Sequence, residues 1–290
     1  MPTPGPEQPR EVFLSPTEKP QVSIEDFESQ AVLRHDELLN KYSAGEISRE
    51  EFNHLASKPV VDLENERRIL DHERAIDPMT GLYRKELLAN LLANRVREMA
   101  RLRGEKDAPK PRAAILLLDL DHFSRVNNEF DYALGDQAIS ALGVILRGQL
   151  RPGDLAGRFG GEEFFILLEN ADLEAGLKAA ERYRKAVSDN FPLFISEIGP
   201  QTASIGVMEL PEKVFDKNLT EENAARDLLL DLVRMAQEPL KIGGKEAGRN
   251  RIGVRRFNPK TQSYDIFTAN FSKDQSGRIG NIQYLHPQTS

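Results

Sequence analysis

Cysteine and tryptophan are both absent from this 290-residue chain, and only 7% of it is aromatic. Without cysteine there can be no disulfide and no thiolate metal site. Long apolar runs are missing too: none approaches the ~20 residues that a membrane-spanning helix needs. Residues 1–20 are rich in proline and glutamate and lack the apolar stretch of a secretory signal. Together these absences lead us to expect a cytoplasmic protein with no membrane span. A net charge of −7 argues against nonspecific nucleic-acid binding, so basic clusters are better read as local sites for anions.

What is present centres on Gly160-Gly161-Glu162-Glu163-Phe164. Apolar segments flank it on both sides, so the glycine pair reads as the turn of a β-hairpin that carries two acids at its tip. A solvated glutamate pair after a Gly-Gly turn would look the same, and the upstream sequence shifts the balance. Residues 113–121 form a short apolar run ending in Asp119-Leu120-Asp121, too short for a helix core and consistent with a buried strand. Positions i and i+2 share a face of a strand but diverge where the strand ends; Asp119 is the better candidate to meet Glu162. Hard carboxylate oxygens without cysteine or clustered histidine suit Mg²⁺ (or Mn²⁺) holding a nucleoside triphosphate.

An ordered set of motifs extends the pattern: Asp77-Pro78-Met79-Thr80-Gly81-Leu82; Asp119-Leu120-Asp121-His122-Phe123 with Asn127 and Gly135-Asp136; Arg158 to Phe164; Ala203-Ser204-Ile205-Gly206-Val207; and Lys245-Glu246-Ala247-Gly248-Arg249-Asn250. In this order they resemble the GGDEF diguanylate cyclase family, over roughly residues 77–254. The resemblance implies an α+β, cyclase-like (ferredoxin-like) core, with a central mostly antiparallel sheet flanked by helices. It also implies that two GTP molecules condense to cyclic di-GMP and pyrophosphate at the interface of a homodimer.

The resemblance assigns roles that the side-chain chemistry accommodates. Asp119, the Leu120 carbonyl and Glu162 would hold the metal ion; Glu163 would complete that site or activate the 3′-hydroxyl. Phe123, Gly160 and Gly161 would line the nucleotide. Asn127 and Asp136 would read guanine, whose N1 and N2 donors an amide oxygen and a carboxylate can accept. Lys245 and Arg249 would meet terminal phosphates. Taken alone, Asn127 and Asp136 are equally suited to turn and helix-start positions before residues 137–142, and Lys245 and Arg249 to a solvated loop. Arg151-Pro152-Gly153-Asp154 matches the family's Arg-x-x-Asp product-inhibition site, to which Arg182 would add a second arginine; a surface turn with an i,i+3 ion pair is the plainer alternative.

The chain also departs from the family pattern. Ser124 stands where a lysine is usual, Asn128 where an aspartate is, and Asp131-Tyr132 where Gly-His is. Arg84-Lys85 replaces Asn-Arg, which is expected to weaken the bracing of the 77–82 loop. Residues 236–244 carry Pro239 and Gly243-Gly244 and run one residue longer before Lys245. Interior proline costs ~3 kcal/mol in a helix, so a helix starting at or kinked by Pro239, with Lys245 displaced, is the expectation. The family competitor is therefore a domain that binds cyclic di-GMP or GTP without turning it over.

Outside the core we expect a disordered leader over 1–22 and a helical hairpin and signalling helix over 23–76. The hairpin has Ser48 and Glu51 in a capping box, and Leu63, Ile69, Leu70 and Ile76 form an apolar stripe able to pair across a dimer. Residues 255–290 form an extension that reads either as a β-hairpin laid on the domain or as a partner-binding segment.

Overall fold

The computed structural model describes residues 75–286, apart from 106–109, 131, 220–222 and 274–278, together with residues 41, 46 and 48. The chain divides into two compact units, Met1–Leu70 and Asp71–Ser290; the fold described is that of the second. The helical hairpin and signalling helix expected over 23–76 lie almost wholly outside the described residues.

A short strand β1 (Tyr83–Arg84) leads into α1 (Lys85–Arg103), followed by β2 (Ala113–Leu120), α2 (Phe123–Glu129), α3 (Tyr132–Arg147), the hairpin β3 (Leu155–Gly160) and β4 (Glu163–Glu169), α4 (Leu173–Phe194) and β5 (Ala203–Glu209). After a 3₁₀ turn come α5 (Ala224–Pro239), a π-helical turn (Leu240–Glu246), β6 (Ile252–Asn258), β7 (Ser263–Lys273) and β8 (Ile279–Leu285). The strands form one eight-stranded sheet in the order β1-β3-β4-β2-β5-β6-β7-β8. Only β1 with β3 and β5 with β6 pair in parallel. The central order β3-β4-β2-β5, all antiparallel, is the ferredoxin-like arrangement, and the fold is an α+β cyclase-like one.

Every residue of β2 is buried, which is why it reads as a continuous apolar run rather than an alternation. Its pleat sends Ala114, Leu116, Leu118 and Leu120 to one core with Phe164, Ile166, Leu168 and the inner faces of α3 and α4. Ala113, Ile115 and Leu117 go to a second core with Phe165, Leu167, α1 and α5. The α5 stripe Leu228, Leu229, Leu232, Val233 and Ala236 repeats at helical spacing. Burying one such leucine contributes about 1.5–3 kcal/mol, and both faces of the sheet are clamped in this way.

The extension does not lie across the domain as a separate hairpin. β6 runs unbroken through Val254, and β7 and β8 add to its far side as an antiparallel meander. Phe267, Phe271, Ile282 and Tyr284 pack against the first core.

Pro239 also behaves differently from the expectation. It closes α5 rather than opening or kinking a helix, and the chain continues as the π-helical turn. Proline lacks the N–H of a normal i→i−4 bond, and a π turn takes up one extra residue. The added residue before Lys245 is therefore absorbed within the turn. Close packing makes this possible: a Cβ on Gly253 would collide with the Pro239 carbonyl, and one on Gly243 would sit 2.6 Å from the Gly253 Cα.

Candidate active site

Strand register brings the acids together. Asp119, at the end of β2, is paired with Glu163 of β4 on one side and Ser204 of β5 on the other. The hairpin turn is one residue later than read from sequence: Gly160 still pairs with Glu163, and Gly161 and Glu162 form the turn. A register shift between Arg158 and Gly160 inserts a bulge that moves the tip. Of the two glycines only Gly161 has positive φ, at 37°. Glu162 thus stands at the tip and Glu163 on the strand, both half-buried.

Asp119 is 5% exposed. Its Oδ1 makes an ion pair of 2.7 Å with Lys245 Nζ and otherwise has no hydrogen-bond partner. Burial pushes its carboxyl up to about 6; Lys245 pulls it down, and the charges of Glu162 and Glu163 push it up again. Across Pro239 and the glycine pair, Lys245 thus reaches the buried end of β2. Gln237 Nε2, from the last turn of α5, donates to Glu163 Oε1 at 3.4 Å, a contact the sequence reading did not contain. Among the described residues no three acidic or histidine side chains are close enough to form a ready metal cage. The chemistry of the donor set still fits a hard divalent cation: a buried carboxylate oxygen whose one recorded partner is itself a cation, two neighbouring carboxylates, and no soft ligand.

Asp121 faces elsewhere. It accepts from Thr202 Oγ1 and Ser204 Oγ, both at 2.7 Å, and from the Asn250 amide at 2.8 Å. Asn250 Oδ1 in turn accepts from Arg184, which is held by Glu181 through two bonds. This chain of contacts fixes the loop carrying Arg249, where Gly248, Arg249 and Asn250 have successive positive φ values of 118°, 59° and 49°. Left-handed backbone at two consecutive non-glycine residues costs energy and is found where surrounding structure enforces it. Arg249 itself is exposed and lines a cavity of about 460 Å³ with Arg184, Arg251 and Phe271, outside the contacts that Asp119 makes.

Of the two residues expected to read guanine, Asn127 packs against the start of α3 and Asp136 is exposed. Asn127 is half-buried on α2, and a Cβ on Gly135 would collide with its Oδ1 and lie 3.6 Å from Phe123 Cζ. The glycine lets the start of α3 close against that amide, with the exposed Asp136 next in sequence. Asp136 is not a helix-start residue: α3 begins at Tyr132, so it lies in the second turn.

The 77–82 loop is braced rather than weakened. Asp77 Oδ1 accepts from the Thr80 amide and hydroxyl, and Asp77 Oδ2 pairs with Arg158 at 3.3 Å. Arg158 Nε also donates to the Gly161 carbonyl, tying this loop to the hairpin tip. Arg84 Nε donates to the Ile76 carbonyl, and Lys85 lies 4.3 Å from the centre of the Phe159 ring.

At the opposite end of β3, about 20 Å from the tip at strand rise, the Arg151–Asp154 turn is closed by the Arg151 amide donating to Asp154 Oδ2. The guanidinium of Arg151 has no ion pair among the described residues. Arg182 Nη2 donates to the Gln149 carbonyl, which sets it beside this turn. Burial and the Asp154 charge push the adjacent Tyr183 hydroxyl up to about 12.

The domain joins a ferredoxin-like core to an acid-tipped hairpin beside a buried aspartate, and comparison with known proteins identifies its family. The sequence matches "Diguanylate cyclase, GGDEF domain" over residues 74–229, more than half of the chain. The protein belongs to the GGDEF domain family. It is 32% identical over 183 residues to "Probable diguanylate cyclase DgcT" of Escherichia coli (strain K12), covering 62% of this chain and 35% of that protein. It is 31% identical over 179 residues to "Uncharacterized protein YhcK" of Bacillus subtilis (strain 168), covering 61% of this chain and 44% of that one. The chain spans less than half the length of these curated relatives. The coiled coil and GGDEF domain of DgcB from Caulobacter crescentus, solved in complex with c-di-GMP, superposes with a TM-score of 0.54 at 19% identity, covering 72% of this chain and all of that one. That likeness speaks to the fold. The family match ends before Lys245 and Arg249, whose placement rests on the geometry above. No helix among the described residues is long and apolar enough to cross a membrane.

Proposed function

We propose that this protein is a diguanylate cyclase: each copy binds one GTP, and two copies face each other so that each 3′-hydroxyl attacks the α-phosphorus of the other nucleotide. Each attack forms one P–O bond and expels pyrophosphate; two attacks close the ring of cyclic di-GMP. The observation that carries this reading is the meeting of Asp119, Glu163 and Lys245 at the strand ends, beside the Gly161–Glu162 turn.

Asp119, the Leu120 carbonyl and Glu162, with Glu163 near them, would hold Mg²⁺ or Mn²⁺, which when bound neutralises triphosphate charge and charge developing at phosphorus. Lys245, from the π turn, and Arg249 would meet the terminal phosphates, and the Asp121–Asn250 contact keeps the loop carrying Arg249 in place. Asn127 and Asp136 accept from the guanine edge; adenine has no such donor pair. Glu163, oriented by Gln237, accepts the 3′-hydroxyl proton. One site holds one nucleotide, so the homodimer is part of the mechanism. GTP as substrate agrees with a cytoplasmic location.

Cyclic di-GMP itself would bind at Arg151, Asp154 and Arg182 and arrest the enzyme. The Arg151 guanidinium, which makes no ion pair among the described residues, supports this, since Arg forks suit phosphate and guanine edges. The same feature favours a second reading, a cyclic di-GMP receptor without turnover, in which Ser124 leaves one phosphate contact short. GTP consumption by the wild type, compared with a Glu162→Ala, Glu163→Ala variant, separates the two: turnover lost in the variant supports the cyclase, whereas an idle wild type that still binds cyclic di-GMP supports the receptor.

A further inference from the structure

We propose that Lys245 is a placeholder cation: in the nucleotide-free protein its ammonium occupies the Asp119 carboxylate, and it leaves for the triphosphate when metal and nucleotide bind together. The inference rests on the reading of Asp119 as a metal ligand.

Asp119 is the register partner of Glu163, with Glu162 in the turn that follows Gly161, and both glutamate charges oppose that of Asp119. A buried anion in that company needs a cation. Lys245 supplies it at 2.7 Å, on Asp119 Oδ1, a buried oxygen with no other polar partner among the described residues. Its side chain is one-third exposed, so the head group can reach solvent or ligand without unfolding anything. Its carrier is a single π turn held by two close-packed glycines, so the stem is fixed while the four-carbon chain swings.

The arrangement makes metal and nucleotide binding reciprocal. A cation arriving alone must compete with Lys245 for Asp119. Delivered with a triphosphate, it meets no such competition, because the phosphates offer Lys245 a new partner. Whatever the nucleotide does for the metal, the metal does equally for the nucleotide. An opposite charge in contact commonly shifts a carboxylate equilibrium by one to three decades, so removing Lys245 is expected to tighten binding of metal alone by about tenfold or more. The same change loosens the nucleotide.

The test uses the full chain and Mn²⁺, with free Mn²⁺ read by electron paramagnetic resonance in the absence of nucleotide. Lys245→Met should bind Mn²⁺ about tenfold or more tightly than the wild type, and bind 3′-deoxy-GTP, which lacks the attacking hydroxyl, more weakly. Lys245→Arg, which keeps a cation there, should stay near the wild type for Mn²⁺. Equal or weaker Mn²⁺ binding by Lys245→Met, or an Arg variant as tight as the Met variant, overturns the placeholder. Asp119→Asn separates the layers of the argument. If it abolishes Mn²⁺ binding while Lys245→Met changes nothing, the metal reading stands and this inference falls. If Mn²⁺ binding survives Asp119→Asn undiminished, both fall.

Discussion

Asp119→Asn is expected to make the metal-free protein more stable while disabling the site. Asparagine has the shape of the neutral acid, so the substitution removes the charge that burial and two neighbouring glutamates oppose. The carboxyl is raised from 3.8 to about 6, a shift worth on the order of 3 kcal/mol at 1.36 kcal/mol per unit. For a carboxyl held above its unfolded value, the stabilising contribution is complete below about pH 4 and is lost as pH rises through about 6. At pH 8 in a chelating buffer the variant should therefore exceed the wild type by about 3 kcal/mol, or roughly 6–12 °C in Tm for a domain of this size. The two should converge toward pH 4. Urea or thermal unfolding across pH 4 to 8 measures this. A variant less stable than the wild type at pH 8, or an offset that does not change with pH, would refute the argument. It would make the Lys245–Asp119 pair a stabilising bridge rather than a site held ready for a cation.

Other substitutions probe the scaffold and the second site. Gly253→Ala places a methyl against the Pro239 carbonyl and should cost about 3 kcal/mol in urea unfolding; a neutral result would mean the π turn is not packed as described. Asp121→Ala leaves Thr202, Ser204 and the Asn250 amide without their acceptor. It should cost about 3–5 kcal/mol and weaken 3′-deoxy-GTP binding by loosening the 247–251 loop, a loss that calorimetry would detect. Arg151→Ala should relieve inhibition by cyclic di-GMP while leaving initial rates unchanged; inhibition that persists would remove the Arg151–Asp154 turn from the regulatory account.

The parts of the molecule that were readable in advance are those whose signals are local. Residues 113–120 announce a buried strand by their apolar run. Asp119 and the glutamates of the hairpin follow from spacing, and the ordered motifs identify the family. The hairpin turn was misplaced by one residue because the bulge between Arg158 and Gly160 is set by pairing with β4, which no local pattern encodes. From propensity Pro239 reads as the start or the kink of a helix, yet it ends α5 where β6 packs on its carbonyl through Gly253, and the chain goes on as a π turn that carries Lys245 to Asp119. The start of α3 at Tyr132 was hidden because Gly135 and Asp136 look like a cap; Gly135 is small in order to meet Asn127. The strands after Val254 alternate clearly, but whether they extend the sheet depends on β6 being docked against β5, more than forty residues earlier in the chain, so that its far edge is open to β7. The partners of Asp121, from Thr202 to Asn250, are equally remote in sequence and only the fold brings them together.

Cyclic di-GMP formation is the measurement that bears most directly on the account. Purified protein supplied with GTP and Mg²⁺ should yield cyclic di-GMP and pyrophosphate, identified by chromatography and mass, with no product from ATP and none from the Asp119→Asn variant. Wild-type protein that binds GTP and Mg²⁺ yet forms no cyclic di-GMP would contradict it.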